Sequence, residues 1–97
     1  MAKIRLSDSA ESDLIDIDEY SYEFFGDEVA ASYSRGFRDS FDLLRRHPFV
    51  GEEKPELGRG VRCLVHRKHR IFYLCTDETV FIIRIIHHAQ DAKRALN

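Results

Sequence analysis

The alternation of apolar and polar positions is densest between Val61 and His88, where three apolar runs follow one another across two polar breaks. Residues 61–66, 70–75 and 79–87 are rich in β-branched and aromatic side chains, the types that fit a pleated, packed surface; Arg67–Lys68 and Asp77–Glu78 interrupt them. The pattern predicts three consecutive antiparallel strands joined by tight turns. The third run is apolar on both alternating faces except at Arg84, which predicts a strand covered on both sides. A charge in such a run either reaches for the sheet edge or is held by a partner.

Upstream, Lys3 to Leu6 alternates charged and apolar residues and predicts a short edge strand. Ser7 or Asp8 then caps a helix, with Asp8 and Glu11 suiting its positive N-terminal dipole. Ala10, Leu14, Ile17, Ser21 and Phe24 share one helical face, and Ser12, Asp16, Glu19 and Glu23 the opposite one. Gly26 followed by Asp27 predicts a compact helix-to-helix turn. In the second helix Ala30, Tyr33, Phe37, Ser40, Phe41 and Leu44 form the apolar stripe, while Arg35, Arg38, Asp42, Arg45 and Arg46 face outwards. Arg38–Asp42 and Asp42–Arg46 stand at the four-residue spacing that supports a helix. His47–Pro48 ends it, because proline disfavours helical geometry in the residue before it. The two stripes need a surface, and one face of the sheet supplies it. Residues 49–60, with Gly51, Pro55, Gly58 and Gly60, read as a linker, and residues 89–97 as a short terminal helix with Asp91 near its start. The expected fold class is α+β: an N-terminal edge strand and an antiparallel helical hairpin packed on a mainly antiparallel β-sheet, with a short C-terminal helix, in a single domain 1–97.

A chain of 97 residues buries only roughly 60–65% of its unfolded surface, so a partner can add much of its stability. No stretch reaches the ~20 apolar residues of a membrane span, and the N-terminus, charged at Lys3, Arg5 and Asp8, lacks the apolar core of a signal peptide; the cytoplasm is the expected location. Cys63 and Cys75 read as free thiols. The net charge of −2 hides an asymmetry: residues 1–30 carry nine acids and two bases, residues 31–50 two acids and four bases, residues 51–97 six acids and nine bases. A general nucleic-acid binder would show a basic excess throughout, so direct sequence-specific DNA binding is not expected.

Candidate chemistry is sparse. There is no glycine-rich phosphate loop, CxxC or HExxH, and neither a metal nor a cofactor is expected. His87 and His88, adjacent on a strand, are expected to point to opposite faces and not to share a metal. Arg62, Arg70 and Arg84 fall on three consecutive strands, with His87 or His88 at the end of the last. Such a group on a sheet face can hold a phosphodiester and supply a general acid or base. The alternative is that these arginines pair with carboxylates of the helices or of the linker, Glu52, Glu53 and Glu56.

The order strand, helical hairpin, linker, three strands resembles the ParE toxins of the RelE/ParE superfamily over nearly the whole length. The matching pieces are "IRLSDSAESDLIDIDEY", "ASYSRGFRDSFDLLRRHPFVG" and "GVRCLVHRKHRIFYLCTDETVFIIRIIHHAQD". The resemblance implies a bacterial type II toxin encoded beside an antitoxin that neutralises it by direct binding. ParE-like members are described as poisons of DNA gyrase, acting by interaction; RelE-like members share the fold but cut mRNA in the ribosome. The net charge, the acidic first helix, the ending "RIIHHAQD" and a linker whose only lysine is Lys54 look ParE-like, so a gyrase inhibitor countered by a ParD-like antitoxin is expected. On that branch no catalytic residue is expected, and the protein is not an enzyme. Arg84, His87, Asp91, Lys93 and Arg94 are the candidate contacts to the target. Leu14, Ile17, Tyr33, Phe37, Arg62 and Arg70 are the candidate contacts to the antitoxin. The alternatives are a ribosome-dependent mRNA endonuclease, with Arg62, Arg84, His87 and His88 as its catalytic set, and an inactive binding module.

Overall fold

The computed structural model describes residues 1–97. Its strands are β1 (Lys3–Leu6), β2 (Glu52–Glu53), β3 (Arg62–His66), β4 (His69–Thr76) and β5 (Thr79–His87), and its helices α1 (Asp8–Arg46) and α2 (Ala92–Leu96). The strands form one sheet in the order β1-β5-β4-β3-β2. β1 is the expected edge strand and runs parallel to β5; the other pairs are antiparallel.

The helical segment is broken at Gly26, whose φ of 84° and ψ of 177° lie outside the helical region and favour glycine. A straight helix of 39 residues would run about 58 Å at a rise of roughly 1.5 Å per residue. The longest dimension of the molecule is 38 Å, so arms 8–25 and 27–46 fold back on each other. Leu14 and Ser21 of the first arm and Ala30 and Phe41 of the second line one small cavity between them. This is the expected antiparallel hairpin. Ser7 caps it, its Oγ accepting from Ala10 N–H at 3.0 Å.

Ala10, Phe37 and Leu44 of the hairpin pack on Ile71, Tyr73, Val80, Ile82 and Ile85 of the sheet. The other face is covered too, as the two-faced apolar run at 79–87 predicts: Val61, Cys63, Phe72 and Ile86 are buried under Ala92 of α2, with Leu57 and Leu96 beside them. Strand alternation sends Phe72 and Ile86 away from the hairpin, and they need a lid of their own. Phe24 departs from its expected place, being 61% exposed. Residues 22–29 are exposed throughout, because an apolar stripe is buried only as far as there is a surface beneath it. The outward charges differ in partner as well: Asp42 pairs with Arg45, and Arg46 Nε donates to the Asp42 carbonyl. Cys63 and Cys75 are free thiols. No helix is long and apolar enough to cross a membrane.

The linker is more ordered than its composition suggests, holding β2 and a 3-10 turn at Pro55–Leu57. It is moored by Tyr73, whose fully buried hydroxyl donates to Pro48 O at 2.8 Å and accepts from Gly51 N–H at 2.9 Å. A methyl group at Gly51 would meet the Tyr73 hydroxyl at 2.6 Å and Cys63 O at 2.9 Å. Tyr73→Phe is therefore expected to cost about 1–2 kcal/mol in urea denaturation, because a buried donor and acceptor lose their shared partner. A loss below about 0.3 kcal/mol would mean that the hydroxyl does not moor the linker.

Candidate functional site

β1 pairs with β5 only as far as Ile82, so β5 has an open edge beyond it. The pairing also shifts there: Phe72 faces Arg84 and Tyr73 faces Ile82, leaving Ile83 as the extra residue of a bulge. The start of the hairpin closes the gap. Ser7 N–H donates to Ile82 O at 2.9 Å, and Ser7 Oγ–H to Ile83 O at 2.6 Å. Asp13 accepts from Ile85 N–H at 2.8 Å and from Arg84 through two bonds, Nε at 2.8 Å and Nη2 at 2.9 Å. Arg84 Nη1 donates to Ala95 O at 2.9 Å, so one guanidinium ties β5 to both α1 and α2. This settles how the charge in the apolar strand is tolerated.

The three arginines do not converge. Arg62 pairs in register with Tyr73, on the hairpin face of the sheet, whereas Arg70 pairs with Ile86 on the other face. Arg62 donates to Phe49 O and Gly51 O and contacts Glu53 at 3.1 Å. Arg70 lies over the Phe72 ring and donates to Gln90 O at 2.6 Å. Carboxylates of the helix and of the linker thus hold Arg84 and Arg62, while Arg70 rests on a backbone carbonyl. Residue spacing along three strands gave no account of which face each side chain takes.

The histidines do converge. His66 is opposite His69, and His69 opposite His87, so all three lie on one face, beside the hairpin. Tyr33 Oη is 2.5 Å from His69 Nδ1, and the Phe37 ring packs against both His66 and His69. Burial, helped by the neighbouring His87, His66 and His88, pushes His69 down to about 4. It is therefore neutral near pH 7, hydrogen-bonded through Nδ1 to the hydroxyl of Tyr33, whose own pKa burial raises. Burial also lowers His66, whose Nε2 is 3.3 Å from Tyr33 O.

His87 and His88 do not point apart. Their rings lie 4.3 Å from centroid to centroid, at 33°. β5 ends at His87, and His88, whose N–H donates to Lys68 O, stands in the following turn, where strand alternation no longer applies. No group of three or more His, Cys, Asp or Glu residues is placed to hold a metal ion. Sequence reasoning passed over His66 and His69, though the signal was present: they flank a two-residue turn, so hairpin geometry must set them face to face.

Between the hairpin and the β3–β4 turn lies a groove of about 600 Å³. Ile17, Tyr20, Phe25, Val29 and Tyr33 line it from the hairpin, and Arg67, Lys68, His69 and His87 from the sheet. Of the residues expected to meet an antitoxin, Ile17 and Tyr33 lie here. Leu14 lines the cavity between the arms, Phe37 is 4% exposed in the core and offers no surface, and Arg62 and Arg70 lie elsewhere. Of those expected to meet a target, His87 borders the groove and Lys93 and Arg94 are exposed on α2. Asp91 caps that helix, accepting from Lys93 N–H at 3.0 Å and Arg94 N–H at 3.4 Å.

Comparison with known proteins adds the lineage. Residues 4–92 match the family described as the ParE toxin of the type II toxin–antitoxin system parDE. The chain is 34% identical over 96 residues to Toxin ParE1 of Caulobacter vibrioides, covering 99% of each, and 30% identical over 92 residues to Toxin ParE1 of Mycobacterium tuberculosis, covering 94% of each. In fold it is similar to a chain of a chromosomal ParDE system from P. aeruginosa, at a TM-score of 0.75 and 21% identity over 90% of this chain and 96% of that one. A chain of the RelBE2 toxin–antitoxin complex of M. tuberculosis superposes at a TM-score of 0.63 and 24% identity, over 89% and 96%. A hairpin and edge strand on a sheet of this order, matched in sequence over almost its whole length, identify the chain as a member of the ParE toxin family of type II toxin–antitoxin systems.

Proposed function

We propose that this protein is a cytoplasmic toxin that arrests growth by acting on DNA gyrase and is neutralised by direct binding of a ParD-like antitoxin. The observation that carries the reading is the match to the ParE toxin family over residues 4–92. The geometry supports action by binding. Arg62 and Arg84, the two cations of the nuclease alternative, are engaged by Glu53 and Asp13. Lys93 and Arg94, exposed on α2 beyond the His87 end of β5, are the proposed contacts to the target, with Asp91 capping their helix; Arg84 contributes by fixing that helix to the sheet. Ile17 and Tyr33 line the groove with apolar surface that a segment of an antitoxin can cover.

A second reading, a ribosome-dependent mRNA endonuclease, is favoured by one observation: His69, His87 and His88 cluster at the end of the sheet. Induced expression in bacteria, with replication and translation followed separately, tests both. Under the gyrase reading DNA synthesis stops and the DNA-damage response rises while translation continues, and co-expression of the antitoxin restores growth. Early collapse of translation with cleaved mRNA would replace it by the nuclease reading, and His87→Ala with His88→Ala would then abolish activity. Normal growth at full expression would leave an inactive binding module.

A further inference from the structure

The groove between the hairpin and the β3–β4 turn has two unlike walls. Tyr20 and Phe25 stand on the hairpin side at 58% and 60% exposure, edge to face at 6.2 Å. On the opposite side are Arg67 and Lys68. The ion pairs of the molecule involve Arg45, Lys54, Arg62 and Arg84, so these two cations have no carboxylate partner. Arg67 is nonetheless oriented, its guanidinium lying 5.6 Å from the centroid of the Tyr33 ring. It stands in the β3–β4 turn at a φ of 53° and lines the groove. Beside them, Tyr33 Oη lies 2.5 Å from His69 Nδ1.

We propose that this groove binds a free nucleoside phosphate, the base stacking on the Tyr20–Phe25 wall and the phosphate held by Arg67 and Lys68. An aromatic wall facing unpaired cations is complementary to a ligand with a flat π-system at one end and an anion at the other. The volume of about 600 Å³ is that of a small-molecule site. The charge around it selects a short ligand. Residues 11–28 carry eight acids and no base, and this arm borders the groove, so an extended polyanion is repelled while one phosphate at the Arg67–Lys68 end is not. Asp16, the one carboxylate among the lining residues, can accept from a ribose hydroxyl. The proposal concerns the free chain; an antitoxin segment seated on Ile17 and Tyr33 would compete with the nucleotide for the same groove.

The test is calorimetric and NMR titration of the full chain with adenosine 5′-monophosphate, adenosine, inorganic phosphate, a ten-nucleotide oligo(dT) and a glutamate-rich peptide. The expected result is saturable binding of one AMP per chain in the ~10–500 μM range, with adenosine and phosphate each weaker by about tenfold. Arg67→Ala with Lys68→Ala should weaken AMP by about tenfold and leave adenosine unchanged, whereas Tyr20→Ala should weaken both. All three positions are exposed, and an unchanged melting temperature verifies that the variants fold. No saturable binding of AMP at ~5 mM would overturn the proposal, as would equal binding of phosphate alone. Tighter binding of the oligonucleotide or of the acidic peptide would overturn it as well, and would assign the groove to nucleic acid or to a protein partner.

Discussion

Asp13→Ala is expected to lower folding stability by about 3 kcal/mol, a large part of the roughly 5–15 kcal/mol that holds a domain of this size. Asp13 has two duties. It pairs through two bonds with Arg84, and it accepts the Ile85 N–H at the place where β1 no longer covers β5. Its removal leaves a half-buried guanidinium without its anion and a strand-edge N–H without an acceptor. Breaking a buried pair costs about 3–5 kcal/mol, and a surface pair under ~1. With side-chain exposures of 26% for Arg84 and 13% for Asp13, this pair lies nearer the buried case but below its upper range. Asp13→Asn keeps an acceptor for Ile85 and loses the charge, so it should fall between wild type and Asp13→Ala. Asp13→Ala combined with Arg84→Met should recover part of the loss, since no orphaned charge remains. Urea denaturation of the four proteins measures the coupling; an energy below about 0.5 kcal/mol would show that the pair is not a structural clasp. The same variants separate structure from target contact. Equal loss of toxicity in Asp13→Ala and Arg84→Ala assigns Arg84 to the fold, whereas loss in Arg84→Ala alone assigns the guanidinium to the target.

The second large effect lies on the pH axis. The folded pKa of His69 is about 4, well below the ~6.5 of an unfolded histidine. Between those values the unfolded chain binds a proton that the folded chain refuses, so stability is complete above about pH 6.5 and is lost as the pH falls towards 4. For a sealed imidazole the loss would be about 3 kcal/mol; with solvent reaching a half-buried ring, about 2 kcal/mol is expected between pH 7 and 4.5. The groups that face the ring are Tyr33 from the hairpin, His66 and His87 from the flanking strands, His88 beyond them, and Asp13 at longer range. Only Asp13 favours the charged imidazole. His66, also lowered by burial, adds a smaller contribution of the same sign. His69→Gln retains an acceptor for Tyr33 and does not titrate. Its stability should be lower at pH 7 and should fall much less on acidification. Parallel pH profiles for wild type and His69→Gln would mean that His69 is not held neutral by the fold.

Local signals carried most of the architecture. β-branched and aromatic runs mark β3, β4 and β5 because a pleated surface buries those side chains best, and two-residue polar breaks leave consecutive strands no arrangement but antiparallel neighbours. Ser7, Gly26 and Pro48 punctuate the hairpin through local backbone chemistry, which needs no distant residue to act. The family was legible in the same way, in the order and spacing of these pieces. What tertiary structure alone decided is which side chains meet. β2 is two residues long and exists only because β3 presents an edge to it. Phe24 reads as core by period and lies in solvent because the sheet does not extend beneath it. A bulge of one residue at Ile83 and a parallel partner that stops at Ile82 turn Arg84 from a sheet-face cation into the clasp on Asp13, 71 positions away. Register against β5 brings His87 to the face on which the turn already sets His66 opposite His69, and places Arg70 against Ile86 on the other face. Such meetings are set by strand register and by where neighbouring elements end, and these are properties of the packed sheet that no local stretch of the chain encodes.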